Sequence, residues 1–275
     1  MKKIFILYVI LGLMACHTSQ KTAHNAAYTD KRIAESVQKA CKYLKMRGAK
    51  FDFTLIPITQ YLEKKYAIST GLPYDSLLMG NWQAEMHPLE GLISPKKYKY
   101  DAQTAKTFSA ELPRLMYLSL YCKNCGLDSN YWAMMHRQSA DSMGYGLPHA
   151  ALSLKWLQEK KCEYADSIFE KVKKQQLFSL KNLVTRQNCA TDLGIEAVSM
   201  LGYLGGKEAI QAEWIEKLLS LQDKNGAWKT DAYIYTPTQE ITHNTNQQYD
   251  HTTVLALWVL LMYGREGEGG VNMVE

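Results

Sequence analysis

The hydrophobic positions of this chain recur with a helical period through most of its length. Ile33, Val37, Cys41 and Leu44 fall at i, i+4, i+8 and i+11 and mark one face of an amphipathic helix over 30–46. Gly48 closes that helix. A more apolar one is expected over 51–66, where Pro57 must kink the segment or shift its start. Further helices are expected over 105–121, 129–142, 148–160, 163–179, 190–204, 207–222 and 250–264. Two stretches break the pattern. Residues 67–103 carry Gly71, Pro73, Gly80, Pro88, Gly91 and Pro95, and 229–248 are mostly polar, so both read as long irregular loops. No segment alternates apolar and polar residues at period two for long enough to compel a sheet.

The helices are of two kinds. Segments 30–46, 163–179 and 207–222 carry their charges along one face, as Glu163, Asp166, Glu170, Lys171 and Lys173 do in the second. Segments 148–160, 190–204 and 250–264 hold few charges beyond their first turns. Residues 254–262 are apolar all round, which places them in an interior. A solvated helix alternating with a buried one predicts an all-α fold: an α/α toroid of helical hairpins spanning 29–264, with the two irregular stretches as long loops. A two-layer helical solenoid gives a similar alternation, with fewer helices buried on every side. Residues 265–275 are Gly-rich and acidic and are expected to fray.

The chain's beginning follows a different logic. Met1-Lys2-Lys3 precedes an uncharged stretch over 4–15, and Cys16 comes next. A basic start, a short apolar run and a small residue at the cut define a cleaved secretory signal over 1–15. The run is too short to cross a hydrocarbon core, which takes about 20 helical residues. Leu13-Met14-Ala15-Cys16 resembles the bacterial lipobox. That resemblance implies acylation of Cys16 by palmitate-like chains, and several such chains anchor a protein durably where one would not. Residues 16–28 are then a flexible tether. The address this implies is the cell envelope, with the membrane as a partner through lipid, and His17 after the cysteine favours the outer membrane.

Composition narrows the function classes. The formal charge of +5 falls to +3 when Lys2 and Lys3 leave with the signal, too mild and too interspersed for a nucleic-acid surface. Hydrophobic content of 47% is that of a globular protein, not a disordered tail. Eighteen tyrosines and six tryptophans can pack a core or offer a platform on which sugars stack. Besides Cys16 there are Cys41, Cys122, Cys125, Cys162 and Cys189, an odd number in a compartment that permits disulfides. Cys122-Lys-Asn-Cys125 has CxxC spacing, but no strand precedes it and no second CxxC follows. A structural bridge, local or long-range, fits better than redox catalysis or a zinc ribbon.

Leu218-Leu-Ser-Leu-Gln222-Asp-Lys-Asn-Gly226-Ala-Trp228 resembles the Gln-Trp motif of terpenoid cyclases and protein prenyltransferases. The resemblance implies an outer helix ending at Gln222, a turn at Gly226, and Trp228 packed across it before the next inner helix. Tyr249-Asp250-His251-Thr252-Thr253 looks like the opening of the zinc-bearing helix in prenyltransferase β subunits. The match covers about 205–264 and departs elsewhere. There is no Asp-x-Asp-Asp acid, no Asp-x-Cys ligand pair and no thioester motif, so the fold is implied and those activities are not. Segments 144–149, 192–196 and 251–253 are also similar to a family of secreted helical proteins of unknown function.

Aligning the buried segments by their apolar runs brings one polar residue of each to the first turn: His149, Asp192 and His251. In a toroid those turns share one mouth. Asp52 and Glu111 have comparable placements. An aspartate there can simply cap orphan N–H groups, which is the plain reading of Asp192 and Asp52 taken singly. Histidine gains nothing from a helix N-terminus, where the dipole disfavours its cation, so the two imidazoles are the informative residues. Two chemistries fit. His149, Asp192 and His251 can hold a zinc-like cation, with Glu196 at i+4 from Asp192 as a further ligand. Alternatively His149 or His251 is an acid or base oriented by Asp192, with Tyr145 or Tyr249 as a second proton carrier, as in helical-toroid polysaccharide lyases. His87 and His243 lie in the two loops. Two function classes follow: an envelope lipoprotein whose mouth binds a peptide, glycan or protein ligand, and a hydrolase or lyase built on His149, Asp192, His251, Glu196 and Tyr145.

Overall fold

The computed structural model describes residues 30–75, 77, 102–140, 144–187, 189–230, 232–235, 241–244 and 249–265. The signal, Cys16, the tether, His87 and most of the first loop lie outside the described residues, as does the tail from 266. The described part is mostly helical. In chain order the helices are α1 (Lys31–Arg47), α2 (Ile56–Tyr66), α3 (Ala102–Ala105), α4 (Glu111–Leu120), α5 (Cys122–Cys125), α6 (Ser129–Ala140), α7 (Gly146–Glu159), α8 (Asp166–Gln187), α9 (Asp192–Gly205), α10 (Ala212–Leu221) and α11 (Tyr249–Gly264).

Local chemistry sets the boundaries. Asp30 caps α1 by accepting from the Arg32 N–H at 2.7 Å, and Gly48 ends it with a positive φ of 51°. Pro57 shifts the start of the second helix: residues 53–55 form a 3₁₀ turn, and α2 begins at Ile56 with the proline in its first turn, where no N–H is missed. The single helix expected over 105–121 is divided. A short α3 ends at Ala105, and α4 begins at Glu111 so that Pro113 also falls in a first turn. Helix α8 runs eight residues beyond the expected 179, to Gln187, because Leu180, Leu183 and Val184 continue the buried stripe of Phe169, Val172 and Gln176. Within the second loop, Ala232–Tyr235 (β1) and Ile241–Asn244 (β2) pair as a short antiparallel ribbon, which the absence of period-two alternation did not announce.

A row of buried helices carries the core. Helices α4, α7, α9 and α11 pack in chain order, each against the next, and α11 also contacts α2. Flanking them, α6 lies on α4 and α7, α8 on α7 and α9, and α10 on α11. Helix α1 packs on both α10 and α11, so the first described helix meets the last. Every residue of α9 from Asp192 to Leu204 is buried, and α11 is buried from Thr252 to Leu261. Aromatic rings fill much of this interior: Trp156, Trp228 and Trp258 are among its largest enclosed side chains, and Tyr61, Tyr203 and Trp258 meet edge-on or tilted at 4.7–6.1 Å. Arg265, expected in the tail, is buried with its guanidinium over the Tyr66 ring. Cys122 pairs with Cys162 across 40 residues of sequence, not with Cys125, and ties α5 to the loop after α7.

Gln222 and Trp228 form the clasp that joins the last hairpin to the first. Gln222 Nε2 donates to the carbonyls of Ser36 and Gly226, its Oε1 accepts from Ser36 Oγ, and the indole N–H of Trp228 donates to the Leu218 carbonyl. Gly226 makes the turn with φ +96°, and a Cβ there would collide with the Lys39 carbonyl oxygen. Gly226→Ala therefore meets both strained backbone and blocked space. A loss of about 2–3 kcal/mol is expected in denaturant unfolding of the variant against the parent chain.

Candidate functional site

The site begins with a cap. Thr191, extended at the start of α9, accepts from the Gly194 N–H at 3.0 Å through its hydroxyl and so satisfies one of the helix's orphan donors. Asp192 is thereby released from the capping role that a first-turn aspartate ordinarily fills, and its carboxylate turns inward. Oδ1 receives His251 Nδ1 at 2.8 Å and the Thr252 hydroxyl at 3.0 Å, both from the first turn of α11. Oδ2 accepts from the Tyr145 hydroxyl at 2.8 Å, from the residue that precedes α7. One turn further along α9, Glu196 Oε1 lies 3.2 Å from His149 Nδ1. That ring nitrogen is also 2.8 Å from the Tyr145 carbonyl. The first turns of α7, α9 and α11 thus meet at one end of the buried row.

The carboxylates are enclosed, with 10% of the Asp192 and 6% of the Glu196 side-chain surface exposed, whereas the imidazoles retain access, His149 at 27% and His251 at 24%. A carbonyl can only accept, so His149 Nδ1 carries a hydrogen and Nε2 holds the lone pair in the neutral ring. Asp192 fixes the Nδ1 side of His251 in the same way. Glu196 Oε2 is buried and has no hydrogen-bond partner among the described residues.

Burial opposes ionisation at this site, and neighbouring charges oppose burial. For Asp192, burial raises the carboxyl pKa, but the hydrogen bond and charge of His251, with Tyr145 and Thr252, outweigh it and leave the group below its ordinary value. Glu196 is raised, because burial there is only partly offset by the two histidines. Burial lowers His251, but the hydrogen bond and charge of Asp192, then Glu196 and Asp52, lift it to about 9. The Tyr145 phenol is raised by burial and by the adjacent Asp192, so it remains an O–H donor.

Sequence reasoning gathered His149, Asp192, His251, Glu196 and Tyr145, and the structure brings all five together. The three residues whose ligand atoms converge within 4.8 Å are Asp192, Glu196 and His251. His149, expected as a ligand beside Asp192 and His251, is outside that group and faces Glu196 Oε1 at 3.2 Å instead. Asp52 is a cap, as read, accepting from the Thr54 N–H and hydroxyl at 3.0 and 2.8 Å. Glu111 is elsewhere, in an exposed ion pair with Arg137. The His243 and Tyr249 side chains lie outside the description. Two contributors were missed. Thr252 follows the chosen histidine directly. Asp250 precedes it, buried, and accepts from Arg47 Nε at 2.7 Å, the Tyr43 hydroxyl at 3.2 Å and the Asp52 N–H at 3.1 Å, which pins α11 to α1. An acidic residue beside a first-turn histidine was the available signal.

Comparison with protein-family models, with curated proteins and with solved structures returns no match.

The raised His251 gives a testable pH dependence. Its folded-state pKa of about 9 exceeds the unfolded 6.5, so its contribution to stability is complete below about pH 6.5 and is lost as pH rises through 9. Denaturant melts of chelator-treated protein are expected to lose unfolding free energy between pH 7 and 10, with the slope reduced in Asp192→Asn.

Proposed function

We propose that this chain is an exported, lipid-anchored enzyme of the hydrolase or lyase class, acting on a glycan or peptide at the shared mouth of an α/α toroid. The supporting observation is the pairing of each accessible imidazole with a carboxylate of α9: His251 with Asp192 and His149 with Glu196. Proton transfer needs imidazoles held in one tautomer and orientation, and a carboxylate beside each ring supports that role.

His149 is the proton acceptor in this reading. With Nδ1–H held by the Tyr145 carbonyl, Nε2 takes a proton from water or from substrate carbon. His251, held at Nδ1 by Asp192, supplies a second proton to the leaving group from its other ring nitrogen, and exchange with solvent restores both rings. Tyr145 and Thr252 position Asp192, and Asp250 with Arg47 positions the turn that carries His251. Ring closure is part of the same proposal and is supported by α1 packing on α10 and α11. Export draws support from the uncharged run before Cys16 and from the Cys122–Cys162 disulfide, which an oxidising compartment permits.

The test is turnover of a panel of polyuronates, neutral polysaccharides and peptidoglycan fragments by the mature chain, read as reducing ends, unsaturated product and released peptide. One class is expected to be turned over. His149→Ala is expected to lower that rate about 10²–10⁴-fold, and Asp192→Asn to lower kcat far more than it changes KM. Binding without turnover across the panel, or turnover intact in His149→Ala, would overturn the assignment and leave a ligand-binding lipoprotein.

A further inference from the structure

We infer that Asp192, Glu196 and His251 bind a divalent transition cation of the zinc class. This rests on the reading that the first-turn cluster is where chemistry takes place, and it changes one role there. His251 becomes a ligand instead of the proton donor, a bound cation would polarise the substrate, and His149 both takes the proton and passes it to the leaving group.

Two independent observations carry the inference. One ligand atom from each of the three residues lies within 4.8 Å of the other two, so a single ion can reach all three. Separately, Glu196 is 4% exposed and its Oε2 has no hydrogen-bond partner among the described residues. A carboxylate oxygen is not left bare in an interior without cost, and a cation in this cluster would relieve it.

The surrounding contacts fit that assignment. Both carboxylates have partners beside the ligand set: Asp192 Oδ2 receives the Tyr145 hydroxyl at 2.8 Å, Asp192 Oδ1 the Thr252 hydroxyl at 3.0 Å, and Glu196 Oε1 faces His149 Nδ1 at 3.2 Å. Partners behind the ligands fix their orientation and support metal affinity. The donor set is two carboxylate oxygens and one imidazole nitrogen, which suits zinc or manganese over calcium or a soft thiolate metal. Three protein ligands leave a coordination position for water or substrate, the arrangement of catalytic rather than structural sites. Two of the ligands are one turn apart on α9, buried from Asp192 to Leu204, so the positions are held by packing before any ion arrives.

The experiment uses the untagged mature chain, stripped with chelator and titrated with Zn²⁺ and then Mn²⁺ in a calorimeter. Helical content is followed by circular dichroism. About one equivalent is expected to bind. Glu196→Gln keeps the side chain's size and is expected to retain the fold while weakening binding at least 100-fold. Tyr145→Phe, which touches a ligand without being one, is expected to weaken binding about tenfold. Absence of binding, or binding equal in Glu196→Gln and parent chain, overturns the site, the second result marking adventitious uptake at other histidines. Should Glu196→Gln fail to fold, Tyr145→Phe decides, and unchanged affinity there overturns the inference. Failure of the two readings is distinguishable. Turnover by protein that takes up neither Zn²⁺ nor Mn²⁺ removes the cation and keeps the enzyme, whereas stoichiometric metal without turnover keeps the cation and removes the enzyme.

Discussion

Burying a carboxylate in a helical interior costs free energy unless its oxygens are partnered, and Asp192 offsets that cost by drawing on two other helices. Its oxygens take hydrogen bonds from Tyr145, His251 and Thr252, so the starts of α7 and α11 are both fastened to the start of α9. Removing one partner of such a buried pair costs about 3–5 kcal/mol, since the remaining charge is stranded. The same bonds orient an imidazole and fasten the helix row at one end. Stability and chemistry are therefore coupled through one side chain. The Thr191 cap makes this possible, because without it Asp192 would be the nearest acceptor for its own helix's orphan N–H groups.

Other contacts hold α11 at the register this requires. Asp250, the residue before His251, is fixed from α1 by Arg47 and Tyr43. Thr253 lies two residues beyond His251 and receives the backbone N–H of Trp228. Gln222 then ties that turn to Ser36 on α1. The opening of α11 is thus held on three sides, by α9, α1 and the turn after α10, while further along the helix apolar packing dominates, with Ser199 Oγ donating to the Leu255 carbonyl at 3.3 Å. Apolar packing tolerates small rotations, and directed hydrogen bonds do not.

The helices were legible because burial imposes a period, and the period survives wherever one face meets the core. It was read too short in α8, where Lys181, Asn182 and Thr185 obscure a stripe that Leu180, Leu183 and Val184 continue. It was read too long before α4, because the break between Ala105 and Glu111 carries no glycine and its proline lies inside the following helix. The ribbon escaped notice because strands of four residues are too short for alternation to stand out. At the site, first-turn placement was readable from alignment of the apolar runs. Which histidine meets which carboxylate was not, because that depends on the rotation of α7 and α11 about their own axes. The release of Asp192 by Thr191 was hidden for a related reason: either residue type can cap, and only geometry shows which one does.

The claim that Asp192 and His251 act as one unit is tested most directly by a double-mutant cycle on stability, with Asp192→Asn, His251→Ala and the pair measured by denaturant unfolding at pH 7. The two losses are expected not to add, with a coupling of about 1.5–3 kcal/mol between residues in one hydrogen-bonded network. Losses that add to within about 0.5 kcal/mol would contradict it.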